Sequence, residues 1–148
     1  MLKLMYMTND PEIASIADRA GVDRIFIDLE QYGKEKRQKN WDSVKSKHSI
    51  SDIPKMKTAV RNAQIFVRTD PIFDGFSDEL EGVLACEPDV VMLPYFKTVR
   101  EVETFIKAID GRATTSLLLE TREAAEQIDD IISVGGIDEI HIGLNDLS

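Results

Sequence analysis

The stretch Gly21-Val22-Asp23-Arg24-Ile25-Phe26-Ile27 recurs in outline as Glu87-Pro88-Asp89-Val90-Val91-Met92-Leu93 and again as Gly136-Ile137-Asp138-Glu139-Ile140-His141-Ile142. Each copy enters an apolar run through a helix stop and an aspartate, which is how repeated βα units look in sequence. The runs are short and lack both helical and alternating period, the mark of parallel strands covered on both faces. A parallel α/β architecture follows.

Working outward, the same alternation fills the chain. Met1 to Met7 reads as a first strand, and Asp10-Pro11 opens a helix carrying Ile13, Ile16, Ala17 and Ala20 that Gly21 stops. Ser51 and Asp52 offer a cap to a helix with Ile53, Met56 and Val60, before the strand Ile65 to Val67. A weaker helix is expected from about Asp78 to Cys86, ahead of Val90 to Leu93. Thr98 and Glu101 form a capping box for the helix Val99, Val102, Phe105, Ile106 and Ile109. Leu117 to Leu119 is the next strand, Ala125, Ile128, Ile131 and Ile132 mark a helix closed by Gly135-Gly136, and Ile140 to Ile142 is the last strand. Six strands alternate with five helices over residues 1–148, with no linker or low-complexity tract, so a single α/β domain is expected.

Two architectures use such units, an open doubly wound parallel sheet and a closed (β/α)₈ barrel. Length favours the open sheet, because a barrel would lack two units. The net charge of −9 disfavours a nucleic-acid role, which needs a basic face. The single cysteine, Cys86, excludes an internal disulfide framework, reads as a small buried apolar residue, and is compatible with a reducing cytoplasm. With neither a signal peptide nor a membrane-length apolar stretch, a soluble cytoplasmic protein is expected.

Two apolar runs end at or just before an acid: Leu117-Leu118-Leu119-Glu120 and Ile140-His141-Ile142-Gly143-Leu144-Asn145-Asp146. On adjacent parallel strands, about 4.8 Å apart, Glu120 and Asp146 would emerge together at the carboxyl edge. Two close carboxylates repel, and a shared proton or a cation relieves them; two carboxylates leaving positions to water and substrate is how Mg²⁺ is usually held. The competing reading is that each acid caps the helix that follows it. Between Gln31 and Ile50, Lys34, Lys36, Arg37, Lys39, Lys45 and Lys47 outnumber Glu35 and Asp42. Such a run is ordinarily a solvated loop, though after a strand end it would also attract an anionic substrate, a phosphate or a coenzyme A tail.

Taken in order, Ile27-Asp28-Leu29-Glu30, Val67-Arg68, Leu93-Pro94, Leu119-Glu120-Thr121-Arg122-Glu123 and Ile142-Gly143-Leu144-Asn145-Asp146-Leu147-Ser148 resemble the HpcH/HpaI aldolase and citrate lyase β-subunit family, within the phosphoenolpyruvate/pyruvate-binding barrels. The resemblance reverses the choice made on length. It implies a TIM (β/α)₈ barrel of which this chain supplies about the first six strands, with its edge strands short of neighbours and prone to association. It also implies a divalent metal ion, Mg²⁺ or Mn²⁺, on Glu120 and Asp146, and an arginine, Arg68, on the carboxylate and keto oxygen of a pyruvate-like group. A metal and a fixed guanidinium suit charge that develops on an enolate oxygen. Asn145 joins Arg68 as a substrate-binding residue.

Aldolases of this family carry a histidine just after the acidic pair, acting as base with the aspartate that matches Asp28. Here that position is Gln31, which cannot exchange a proton near neutral pH. Citrate-type lyases have an acid there, so Gln31 matches neither branch, while the short connection from Pro94 to Thr114 is similar to the citrate-lyase side. Of the two histidines, His141 lies inside a strand as a core or helix-facing imidazole, and His48 would reach the site only if the basic loop folds over it. The resemblance thus implies a metal-dependent carbon–carbon lyase acting through a pyruvate-type enolate on a 2-oxo acid or acyl-coenzyme A substrate, as a homo-oligomer, with Arg68, Asp28 and Gln31 at the reacting centre. The alternative is a non-catalytic protein that binds metal and oxo acid but has lost its base.

Overall fold

The computed structural model describes residues 2–31 and 47–147. Its strands are β1 (Met5–Met7), β2 (Arg24–Asp28), β3 (Gln64–Arg68), β4 (Val90–Leu93), β5 (Thr114–Leu119) and β6 (Glu139–Ile142). All neighbours are parallel, and order in space equals order in sequence, β1-β2-β3-β4-β5-β6. The helices between them are α1 (Pro11–Arg19), α2 (Asp52–Ala59), α3 (Phe76–Leu84), α4 (Val99–Ile109) and the pair α5 (Arg122–Glu126) and α6 (Ile128–Ser133).

The recurring aspartates set the register at the amino-terminal edge. The Oδ2 of Asp23 accepts from Leu4 N–H at 2.8 Å, that of Asp89 from Ile65 N–H at 2.7 Å, and that of Asp138 from Thr115 N–H at 2.8 Å. Each carboxylate, standing just before one strand, thereby clasps the entry of the strand before it.

Strand residues of one parity face the helices and those of the other face inward. Ile25, Ile27, Ile65, Val67, Val91, Leu93 and Leu117 belong to the main core, with Ala14 and Ala17 of α1, Ile53 and Met56 of α2, Leu80 and Val83 of α3, Val102 and Phe105 of α4, Ala124 of α5 and Ile131 of α6. On the opposite face Phe66, Val90 and Met92 cluster with Phe26 and Leu118, without a helix residue among them. A doubly wound sheet needs helices on both faces and a reversal of strand order. Helices on one face and an unreversed order rule that alternative out: the sheet is a half-barrel of six strands, helices outside.

Curvature is visible in one contact. Arg24 on β2 donates through both terminal nitrogens to the carboxylate of Glu139 on β6, at 2.7 and 2.5 Å, and through Nε to Gln64 at 3.1 Å. In a flat sheet β2 and β6 would lie about 19 Å apart, four strand spacings. The inner face is therefore concave, and the pair bridges it. His141 belongs to this inner face, its ring centre 5.6 Å from that of Phe66 and its Nε2 3.5 Å from Glu139, so it is not helix-facing.

Element ends follow local chemistry, with three departures. Asp10 caps α1 by accepting from Glu12 and Ile13 N–H, and Thr98 with Glu101 forms the capping box of α4. The helix expected from Asp78 starts at Phe76 instead, because Gly75 turns the chain at φ 118°. Ser51 makes no cap; the Asp52 carboxylate accepts from Ser49 N–H at 2.8 Å and orders the turn. The last helix breaks at Gln127, whose side chain donates to the carbonyls of Lys97 and Glu123 at 3.2 and 2.9 Å. Lys34, Glu35, Lys36, Arg37, Lys39, Asp42 and Lys45 lie outside the described residues.

The Arg24–Glu139 bridge makes a prediction about curvature. Removing one partner of a largely buried ion pair strands the other, so Glu139→Ala is expected to destabilise the chain by about 3 kcal/mol. Replacing both, Arg24→Met with Glu139→Leu, is expected to return most of that loss. Urea denaturation of the two variants measures it, and a Glu139→Ala protein as stable as the parent means that the pair does not form in solution.

Candidate active site

At the carboxyl ends of the strands the inward parity continues into charge. Asp28 and Arg68 are partners in the β2–β3 register, and their side chains form a two-pronged pair: Arg68 Nε to Asp28 Oδ1 and Arg68 Nη2 to Asp28 Oδ2, both 2.9 Å. Two residues beyond Asp28, the buried Glu30 brings its Oε2 to 3.4 Å from Arg68 Nη1. The guanidinium also lies 5.6 Å from the centre of the Phe26 ring. Burial works against its charge, but the carboxylates of Asp28, Glu30 and Glu120 outweigh that and raise its pKa. Arg68 is thus a fixed cation at the inner rim of the sheet, its side chain 16% exposed, rather than a surface charge.

Glu120 follows β5 directly and is only 5% exposed. It does not cap a helix: Thr121 does, accepting from Ala124 N–H at 3.2 Å and donating to Phe96 O at 2.7 Å. One oxygen of Glu120 accepts from Tyr95 N–H at 3.0 Å, and Tyr95 holds a left-handed backbone, φ 49°, in the turn after β4. Room for this carboxylate depends on Gly143, at the end of β6. A Cβ there would stand 2.8 Å from Glu120 Cβ and 3.2 Å from its Oε2.

Burial pushes the Glu120 pKa up, repulsion from Glu30 and Asp146 adds to it, and Tyr95 N–H and Arg68 pull it back only in part. The result is about 7. Asp146 lies in the turn after β6, the strand paired with β5, near enough for its charge to be felt at Glu120. Asn145 precedes it, exposed in the same turn. Gln31 is exposed too; its backbone N–H donates to Asp70 Oδ1 at 2.6 Å, and Asp70 N–H donates to Glu79 at 3.2 Å.

Among the described residues, no three or more His, Cys, Asp or Glu side chains are grouped to hold a metal ion. Glu120 and Asp146 supply two carboxylates, hard oxygen donors that suit Mg²⁺ or Mn²⁺ completed by water and substrate. Burial and the neighbouring acids Glu30 and Asp146 both disfavour the Glu120 charge, and a cation would offset both, so these residues fit a divalent ion.

Three participants escaped the sequence reading, and a fourth, His48, was expected at the site only if the basic loop folds over it. Glu30 was open to it, since it shares the parity of Asp28. Gly143 and Tyr95 matter for space and for one backbone N–H, which carry no side-chain signal. His48, 3% exposed, reaches the site from behind: its Nδ1 accepts from Asp28 N–H at 2.9 Å.

A pH effect follows. Because the folded pKa of Glu120 lies above its ordinary value of 4.5, protonation stabilises the fold; this contribution is full below about 4.5 and is lost as pH rises through about 7. Glu120→Gln is expected to flatten this part of the stability profile between pH 5 and 8, in about the range that separates the two pKa values. Saturating Mg²⁺ is expected to do the same for the parent protein. Thermal melts across that range decide it, and identical profiles for parent and variant would place the Glu120 pKa near its ordinary value.

The HpcH/HpaI aldolase/citrate lyase family model matches residues 3–148. A search of curated proteins gives no match. Among solved structures, the chain is similar to an HpcH/HpaI aldolase/citrate lyase family protein from Burkholderia cenocepacia J2315, with 13% identity, a TM-score of 0.77, and coverage of 98% of this chain and 64% of that one. It is also similar to an HpcH/HpaI aldolase from Desulfitobacterium hafniense DCB-2 (17% identity, TM-score 0.73, 99% and 63%) and to a phosphonopyruvate hydrolase solved with oxalate and Mg²⁺ (14%, TM-score 0.67, 96% and 58%). The chain therefore spans less than two thirds of the length of these relatives. With the family pattern running from residue 3 to residue 148 on a half-barrel of the matching fold, the chain belongs to the HpcH/HpaI aldolase/citrate lyase family.

Proposed function

We propose that this chain carries the metal and oxo-acid site of a divalent-metal-dependent carbon–carbon lyase, acting on a 2-oxo acid or a related acyl substrate. The observation that carries the reading is the meeting, on one concave rim, of a fixed guanidinium with a buried carboxylate whose pKa is raised to about 7 by burial first and by neighbouring acids second. Glu120 and Asp146 would hold Mg²⁺ or Mn²⁺, which when bound supplies Lewis-acid polarisation of the substrate's keto oxygen.

The chain's own residues divide the remaining tasks. Asp28 takes the Nε and Nη2 edge of Arg68 and Glu30 stands 3.4 Å from Nη1, so a substrate carboxylate, and the negative charge that grows on the enolate oxygen as the carbon–carbon bond breaks, would meet the N–H donors that these two acids leave over. Asp28 is in this reading an orienting group. Gln31 and Asn145, exposed at the rim, orient substrate or water. The neighbour solved with oxalate and Mg²⁺ supports an oxo-acid ligand, oxalate being planar and doubly charged like an enolate of pyruvate.

A second reading, binding without turnover, is favoured by Gln31, which has no proton to exchange where a base is expected. Association of copies and a cytoplasmic setting remain part of the first proposal. The apolar side chains exposed on both edge strands, Met5, Tyr6 and Met7 on β1 and Ile140 and Ile142 on β6, support association. Among the described residues, no helix is long and apolar enough to cross a membrane.

Turnover of oxaloacetate or of a 4-hydroxy-2-oxo acid with Mg²⁺ or Mn²⁺ is expected, and saturable oxalate binding without turnover of either would select the second reading. Arg68→Ala is expected to lower oxalate affinity by about a hundredfold, the order expected for losing charged, two-pronged hydrogen bonds, while Mg²⁺ affinity stays near that of the parent. Asp146→Asn is expected to do the reverse. Paired calorimetric titrations separate the two, and an Arg68→Ala protein with parental oxalate affinity would remove Arg68 from the site.

A further inference from the structure

In the β1–β2 ladder, Arg24 N–H donates to Leu4 O at 3.1 Å and Thr8 N–H donates to Phe26 O at 3.3 Å. The next N–H of β2 on that side belongs to Asp28, but β1 has ended at Met7 and the chain turns through Asn9 and Asp10 into α1. His48 takes the vacant rung. Its Nδ1 lies 2.9 Å from Asp28 N and the residue is 3% exposed, so a ring nitrogen stands where a strand carbonyl would otherwise be. A nitrogen that accepts an N–H bears no proton, so the neutral ring here is the Nε2–H tautomer.

The segment that delivers His48 is itself anchored. Asn9 donates to Lys47 O and to Asp52 Oδ2, both at 3.3 Å, and Ser49 N–H donates to Asp52 Oδ2 at 2.8 Å. Asp52 also pairs with Lys55 at 2.8 Å. On the other side of the contact, the Asp28 carboxylate holds two donors of Arg68 at 2.9 Å. A continuous path of short polar contacts thus runs from the β1–α1 turn through His48 and the Asp28 backbone to the guanidinium.

We propose that His48 is a positioning residue of the oxo-acid site: by fixing the Asp28 amide it fixes the carboxylate that aims Arg68. This rests on the function proposed above. It gives this histidine a role distinct from proton transfer, since the ring is buried behind the strand with Nδ1 already engaged by the backbone. Asparagine is the informative replacement, because its Oδ1 sits as many bonds from the backbone as Nδ1 and also accepts. Leucine keeps bulk and removes the acceptor, and glutamine carries its acceptor one bond too far.

The test is oxalate titration of the Mg²⁺-loaded parent, His48→Asn, His48→Leu and His48→Gln proteins, with Mg²⁺ affinity measured alongside. His48→Leu and His48→Gln are expected to weaken oxalate binding by about tenfold, the order of one lost orienting hydrogen bond, with Mg²⁺ affinity little changed; His48→Asn is expected to stay within about twofold of the parent. Oxaloacetate turnover is expected to follow oxalate affinity across the series. Equal weakening in all three variants, or parental affinity in His48→Leu and His48→Gln, overturns the proposal. So does a His48→Asn protein that binds oxalate normally but has lost turnover, because that makes the imidazole a proton carrier.

If the parent itself binds no oxalate, the function reading fails, and the proposal is then judged without ligand by the Arg68 Nε–H resonance. That signal is expected to be sharp in the parent and in His48→Asn, and broadened in His48→Gln and His48→Leu. The same sharp signal in all four proteins overturns the proposal, and because His48→Asn and His48→Gln retain a polar side chain, the comparison stands even if His48→Leu does not fold.

Discussion

An arginine on the second strand can touch a glutamate on the sixth only if the sheet between them is strongly curled, and the Arg24–Glu139 pair records that curl. A buried ion pair adds little stability over well-packed apolar residues, but it is selective about geometry. With Gln64 it forms the lowest tier of the concave face. Above it lie Phe26, Phe66 and His141, with Phe26 and Phe66 edge to face at 5.2 Å. The top tier is Asp28, Arg68 and Glu120. Every tier follows from the two-residue period of strands held in one register. A one-residue slip in any strand would send its share of the site out to the helices.

The top tier is unbalanced by design of its neighbours. Arg68 faces three acids, Asp28, Glu30 and Glu120, and Asp146 adds a fourth negative charge at Glu120. Two of the acids hold the arginine still, and the excess falls on Glu120, whose oxygen is steadied by a backbone N–H rather than by a countercharge. One cation and one anion therefore suit this rim better than either alone. The same imbalance keeps the guanidinium from collapsing onto Glu120, since its nearer partners occupy it first.

The strands and most helices were legible because buried parallel strands and capped helices write short, local signals: the apolar triplets, Asp10-Pro11, and Thr98 with Glu101. The helix broken at Gln127 was not, because the break depends on carbonyls of Lys97 and Glu123 that the local pattern does not reveal. Of the site, the acids and Arg68 stood out at strand ends. Glu30 carried the same signal and was passed over. What the sequence could not show was reach across the chain: His48 lies twenty positions from Asp28, and Gly143 matters only because Glu120 needs its space. Length alone pointed to an open sheet, the strand-end motifs reversed that choice to a barrel, and the strand order agrees with the reversal.

The aspartate clasps have an arithmetic of their own. Asp23 ties β2 to β1, Asp89 ties β4 to β3, and Asp138 ties β6 to β5, so the clasp occurs at alternate interfaces and skips those between β2 and β3 and between β4 and β5. The module that repeats is therefore a pair of strands. Copying or deleting one whole pair leaves every clasp facing its own kind of partner, whereas copying a single strand with its helix breaks the alternation of clasped and unclasped interfaces. Growth of such a sheet by duplication is thus easiest in steps of two, the parity that an even-numbered closed ring requires.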